Sequence, residues 1–324
     1  MKDCIGKFAV VAFLSCAIAA CNGGLEAASG PEATKIAPIS MVSLPIDTDL
    51  DQSTLALIND LSPPQTANRY DSTTVSLDGT VISFTVYAPN IAVGNSAPLL
   101  LHGHGWGDKR AKNLDSTTYE AAPDVTLQGA KLALDSGMQG GKGPTRGWYV
   151  ISFDQRGFGE SGGLANLMDP QLEGQDIKAI IDWAQSHLPR LAYRKNSAGL
   201  SDPVIGAVGA SYGGGFQTIG SGVDRRIDAI VPAATWHDLR YSLFNHPKSE
   251  YLTLLTGLGL KGGRVAPFYY QAVVDASTKN QVSSDFSRRM YLHSPVSYCD
   301  GNSPDMQAPG IPAFVTQAST DILL

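Results

Sequence analysis

The segment VIGAVGASYGGGFQ, residues 204–217, sets a serine between a short run of small apolar residues and three consecutive glycines. Such a run suits a buried strand, and the glycines permit a sharp turn with close packing of whatever follows. Gly209-Ala210-Ser211-Tyr212-Gly213 is then G-x-S-x-G between a strand and a helix, a setting that lifts the Ser211 hydroxyl clear of the sheet on a strained turn. A hydroxyl held this way is placed to attack an acyl carbon. The backbone N–H of Tyr212, at the start of the helix, is placed to meet the oxyanion such an attack creates. The competing reading of the pentapeptide is a structural turn without chemistry, and the strand-to-helix context favours the catalytic one.

The surrounding elements must hold that turn. With 324 residues, 43 % hydrophobic content and no low-complexity bias, the chain is long and apolar enough for one globular unit with insertions. STTVSLDGTVISFTVYAP reads as two alternating strands joined at Asp78-Gly79. PLLLHGHGWG is a buried strand running into a glycine-rich loop, a helix is expected around 125–135, and WYVISFDQRGFGESGG is another strand and loop. LEGQDIKAIIDWAQSHL places Ile177, Ile180, Ile181, Ala184 and Leu188 on one helical face. IDAIVPAATW and IPAFVTQ are the later strands. This alternation predicts an α/β fold with a mostly parallel sheet and helices on both faces.

Two motifs mislead. Residues 157–162, GFGESG, match G-x-G-x-x-G after a strand, but LANLMDP separates them from the next helix, so a nicotinamide or flavin site is rejected. Gly140-Gly141-Lys142-Gly143 lacks the Ser/Thr of a phosphate loop and precedes a strand, so it reads as a surface loop. No metal or organic cofactor is implied.

From Thr73 to Leu324 the chain resembles the α/β-hydrolases, and among them the branch of Xaa-Pro dipeptidyl-peptidases and cocaine-esterase-like acyl esterases. LLLHGHGWG, SFDQRGFGESGG, LEGQDIKAIIDWA, VGASYGGGFQ, DAIVPAATWHDL and IPAFVTQASTD carry the resemblance, in that order. It implies an α/β-hydrolase domain over 70–324 with a helical cap inserted over about 236–303. Many members donate to the oxyanion from a tyrosine in the loop after the third strand. HGHGWG has none, so the second donor is assigned to the backbone N–H of His104, with Trp106 as neighbour. The resemblance places the triad carboxylate at Asp321, which would orient and stabilise an imidazolium. Asp238 ranks second, because LRYSLF after it looks like a helix it would cap.

The base has no such place. All six histidines, His102, His104, His187, His237, His246 and His293, precede Asp321, whereas the order on this fold is serine, acid, histidine. The chain ends three residues after Asp321, so the last helix, last strand and histidine loop of the resembled fold are expected to be missing. An unconventional base at His293 or His246, in the cap, is the alternative.

The N-terminal residues 1–21 have Lys2 and Lys7 ahead of an apolar run shorter than the ~20 residues a spanning helix needs, as a secretory signal peptide does. Their ending, Ile18-Ala19-Ala20-Cys21, resembles the bacterial lipoprotein box, which implies lipidation of Cys21 and a membrane-anchored envelope protein. Cys4 and Cys16 would leave with the signal, so Cys299 would be the remaining thiol. Residues 22–69, rich in Ala, Ser, Pro and Gly, read as a flexible tether. A formal charge of −6 without a basic stripe argues against nucleic acid as partner. The expected function is an exported serine hydrolase cleaving esters or peptide/amide bonds through an acyl-enzyme at Ser211, impaired in the sequence as given because the triad histidine is absent. The alternative is a catalytically inactive, lipid-anchored surface or binding protein.

Overall fold

A hairpin opens the fold, where the Asp78-Gly79 signal places it. In the computed structural model, β1 (Asn68–Val75) pairs antiparallel with β2 (Val81–Ala88), Asn68 opposite Ala88 and Val75 opposite Val81. Gly79 turns with φ of 85°, and Thr80 N–H donates to Asp78 Oδ1 at 3.1 Å. The structure describes residues 67–114, 147–244 and 262–317, together with 130, 131, 133, 252, 255–257 and 259. Outside the described residues lie the stretch read as a signal peptide, 1–21, with Cys21, the part of the expected tether up to residue 66, residues 140–143 read as a surface loop, His246 and Asp321.

β2 continues antiparallel into β4 (Tyr149–Phe153), and from there the sheet is parallel through β3 (Leu99–Gly103), β7 (Ile205–Ala210) and β8 (Ala229–Ala233). Among the described residues its six strands run β1-β2-β4-β3-β7-β8, the mostly parallel α/β sheet that the alternation predicts. Side chains alternate between the two faces. Leu99, Leu101, Tyr149, Ile151 and Phe153 pack on one face with α1 (Glu173–His187) and α2 (Tyr212–Val223), while Tyr87, Val150 and Val208 pack on the other with Leu114 and Ala130. Ala130, Lys131 and Ala133 are helical and belong to the helix expected around 125–135.

In α1 the residues at helical spacing, Ile177, Ile180, Ile181 and Ala184, are buried against the sheet. Leu188, at its C-cap, is extended, as the residue before Pro189 must be. The segment 157–162 closes on itself, Gly157 N–H to Gly162 O at 2.9 Å, and the next helix starts only at Glu173.

Three features depart from the sequence reading. A two-stranded antiparallel ribbon, β5 (Tyr193–Lys195) with β6 (Ser201–Pro203), is too short to leave a period. β1 starts at Asn68, slightly ahead of the expected boundary. IPAFVTQ does not form a continuous strand. It touches β8 through parallel bridges at Ile230–Ala313 and Ala233–Thr316, joined by bonds such as Phe314 N–H to Ile230 O at 3.0 Å. Pro232 and Pro312 remove one ladder donor from each side.

The stretch read as a cap carries α3 (Leu239–Phe244), α4 (Pro267–Lys279), α5 (Ser284–Leu292) and α6 (Pro295–Cys299). Its aromatics Tyr269 and Phe286 are buried in the main core, with the Tyr269 ring 6.3 Å from that of Trp106 in the loop after β3. Cys299 is exposed and in no disulfide among the described residues. Among the described residues no helix is long and apolar enough to cross a membrane.

Candidate active site

Ser211 joins β7 to α2 with φ of 56° and ψ of −119°, a conformation that a non-glycine residue keeps only when its surroundings impose it. They do so from three sides. Ser211 N–H donates to Ala233 O at 2.8 Å, its carbonyl accepts from Gly214 N–H at 2.8 Å and Gly215 N–H at 3.0 Å, and the Thr235 hydroxyl donates to the same carbonyl at 3.2 Å. The turn is possible because α2 starts in contact with β3: a Cβ on Gly213 would lie 2.1 Å from Gly103 O. The Ser211 side chain is half-buried, and its hydroxyl has no hydrogen-bond partner among the described residues.

Tyr212 supplies the first N–H of α2, which has no acceptor inside the helix. Its ring is buried between Trp106 and Phe158, edge-on with centroids 4.8 and 5.9 Å away, and Trp236 at 6.2 Å. Burial raises its hydroxyl well above the usual range, helped by the neighbouring Glu173.

His104 follows β3 directly and is buried. Gln155 N–H donates to its Nε2 at 3.0 Å, so Nε2 is unprotonated and Nδ1 carries the proton, donating to Gly105 O at 2.7 Å. Burial lowers its pKa, which favours this neutral form. Its side chain thus anchors the loop to Gln155, and Trp106 is fixed beside it by Nε1–H to Leu255 O at 2.8 Å. His104→Ala would strand the buried Gln155 N–H and is expected to cost about 1–3 kcal/mol in chemical denaturation, so loss of the side chain is not neutral even where only the backbone N–H meets substrate.

The other described histidines are engaged elsewhere. His102 Nδ1 meets Ser152 Oγ at 3.0 Å, His187 stacks on Trp183, and His237 is exposed. His293, one of the alternative bases, has Nδ1 on Leu167 O at 3.1 Å and Nε2 3.4 Å from Asp169 Oδ2. No described histidine hydrogen-bonds Ser211. Asp238 is held by the Arg240 guanidinium and accepts from Arg240 N–H at 2.9 Å at the start of α3, the capping role weighed for it.

Sequence reasoning missed a buried ionic group behind the elbow. Arg156 spans Asp176, at 2.9 and 2.7 Å, and Asp78, at 2.5 and 3.0 Å. The Arg156 hydrogen bonds hold Asp78 well below the ordinary carboxylate range, while burial raises Asp176 despite them. Beside them Glu173 is fully buried, and burial pushes it up to about 8. The only local signal was a pair of acids three residues apart in the first turn of a helix.

The profile of the X-Pro dipeptidyl-peptidase (S15 family) matches residues 78–261, more than half of the chain, from the β1–β2 turn through Ser211 into the helical insertion. The chain belongs to this family. Membership in the S15 family accords with the α/β-hydrolase fold seen in the sheet order and the strand–turn–helix at Ser211. Among curated proteins, the chain is 32 % identical over 92 residues to an uncharacterized 31.7 kDa protein in the traX-finO intergenic region of Escherichia coli. That match spans 28 % of this chain and 29 % of the relative, under a third of its length. Among solved structures, it is similar to Pyrococcus furiosus esterase Pf2001, at 15 % identity over 79 % of this chain and 90 % of the other with a TM-score of 0.41. It is also similar to an acetyl xylan esterase from Paenibacillus sp. R4, at 15 % identity over 87 % and 90 % with a TM-score of 0.44.

Proposed function

We propose that the protein is an exported serine hydrolase of carboxylic esters or peptide/amide bonds. The observation that carries the reading is the strained Ser211 at the N-terminus of α2, with its hydroxyl unpartnered and half-buried among the described residues. Ser211 Oγ attacks the acyl carbon and gives up its proton to a base, and the oxyanion is met by the backbone N–H groups of Tyr212 and His104. The tetrahedral species expels the alcohol or amine and leaves the acyl group on Ser211, from which water releases it. Asp321 is assigned the carboxylate that orients the base. Lipidation at Cys21 would hold the enzyme on a membrane of the bacterial envelope.

A second reading, a catalytically inactive lipid-anchored binding protein on the same scaffold, is favoured by one observation: none of the described histidines reaches Ser211. A fluorophosphonate probe separates the two. Under the catalytic reading Ser211 is labelled in the full chain, and Ser211→Ala abolishes labelling with the melting curve unchanged. No labelling at Ser211, or labelling that survives the substitution, rejects it. Parallel assays with a nitrophenyl ester and a prolyl-dipeptide anilide then assign the bond cleaved.

A further inference from the structure

The loop assigned the second oxyanion donor has little of its own to hold it. In Gly103-His104-Gly105-Trp106-Gly107 three of the five residues lack a side chain, Gly107 turns with φ of 83°, and a Cβ on Gly105 would meet nothing within 4 Å. Such a run keeps one conformation only when its surroundings impose it. His104 is where they take hold. Its ring nitrogens are engaged by Gln155 N–H and Gly105 O. Its carbonyl accepts a further bond from the same residue, from the Gln155 side-chain amide Nε2. A carbonyl oxygen only accepts, so the nitrogen of that amide is the end that faces it. One residue thus grips His104 at two points, side chain and backbone.

Gln155 is itself fixed. It follows β4 after Asp154, whose N–H donates to Ser83 O at 2.9 Å and whose carbonyl accepts the Ser161 hydroxyl at 2.6 Å. The Gln155 carbonyl accepts Phe158 N–H at 2.9 Å, and the Phe158 ring lies edge-on to that of His104 with centroids 5.6 Å apart. On its other side the gripped carbonyl meets the elbow. His104 O is 3.1 Å from the point a Cβ on Gly213 would occupy, in the first turn of α2. The Gln155 amide therefore sets how the loop after β3 sits against the helix start that carries Ser211 and Tyr212.

The amide is also used at one end only. Gln155 is buried, yet its Oε1 has no hydrogen-bond partner among the described residues. A buried amide kept for stability alone would have both ends satisfied. We propose that Gln155 is a positioning residue for the oxyanion donor at His104, acting through the hydrogen bond from its side-chain amide to the His104 carbonyl. This rests on the reading of Ser211 as nucleophile and of the His104 N–H as second donor.

The test compares labelling of Ser211 in the full chain by a fluorophosphonate and by its P=S analogue, for wild type and Gln155→Met. In both reactions Ser211 Oγ bonds to phosphorus and fluoride leaves with the hydroxyl proton. Only the P=O probe presents a strong acceptor to the oxyanion donors, because sulfur accepts hydrogen bonds weakly. Gln155→Met keeps the length of the side chain and the backbone N–H to His104 Nε2, and removes the hold on the carbonyl. It is expected to slow P=O labelling at saturating probe by about tenfold, a fraction of what loss of a whole oxyanion donor costs. The P=S rate and the affinity for either probe are expected to stay near wild type. The melting temperature is expected to remain within about 3 °C, since loss of the orphaned Oε1 offsets loss of the donor to His104 O. Should Gln155→Met misfold, Gln155→Leu removes the same bond and must lower the P=O to P=S ratio in the same way. The proposal is overturned if P=O labelling is unchanged, or if both probes slow by the same factor, as a general loosening of the loop would cause. Wild-type protein unlabelled at Ser211 would instead remove the nucleophile reading, and this one with it.

Discussion

Arg156→Met is expected to lower the unfolding free energy by about 3–5 kcal/mol, the usual consequence of taking one partner from a buried ion pair. Arg156 and Asp176 side chains are 3 % and 4 % exposed, so the methionine would leave the Asp176 carboxylate buried without its cation. Urea denaturation should show a lower midpoint with unchanged slope. The pH dependence carries the sign of the cause. Burial already raises Asp176 in the wild type, and loss of the hydrogen bonds from Arg156 raises it further. A carboxyl with a raised folded-state pKa contributes its stability below the unfolded value and loses it as pH rises through the folded one. The variant should therefore be penalised most at neutral pH and least in acid. Adding Asp176→Asn should recover part of the loss at neutral pH, and a double variant no better than Arg156→Met would place the cost elsewhere.

Gly213→Ala is expected to be nearly as damaging, about 3 kcal/mol or more by overpacking. The added Cβ would meet Gly103 O at 2.1 Å, Gly103 C at 2.8 Å and His104 O at 3.1 Å, all backbone atoms that cannot rotate away. Relief requires α2 to move off β3, which opens the turn at Ser211 and shifts the Tyr212 N–H from the loop that carries His104. Loss of stability and loss of phosphonate labelling should therefore come together. Gly105→Ala, where nothing lies within 4 Å of the new Cβ, is the matched control and should leave the melting temperature within about a degree or two of wild type. A Gly213→Ala protein that melts like the control would contradict the close approach.

What was legible in the sequence was what short windows encode. The Ser211 turn needs a strand, a serine and glycines within a dozen residues. The buried face of α1 needs only its 3.6-residue period, and the Asp78-Gly79 hairpin only its turn. Glu173 was illegible for the opposite reason: its partners, the backbone N–H groups of Asn166 and Asp169, are unremarkable one by one and reach it only once the loop before α1 folds back on the helix. His104 was placed correctly in its loop, but its fixed tautomer depends on Gln155, on a different strand's loop. The run IPAFVTQ looked like a strand by composition, and its pairing across β8 is interrupted by prolines on both sides.

The position of β3 at the centre of the sheet has a consequence for the chain's first seconds. Leu99 pairs with Tyr149 on one side and with Ile205 on the other, the latter about 100 residues later. During synthesis from the N-terminus, at about 5–20 residues per second, LLLHG must wait roughly 5–20 s after leaving the ribosome before its second neighbour exists. The β1–β2 hairpin needs no such delay and closes in about 1–10 μs. The nascent protein thus carries a finished edge beside an apolar strand with an open side, and this interval is when a holding chaperone has the most surface to cover.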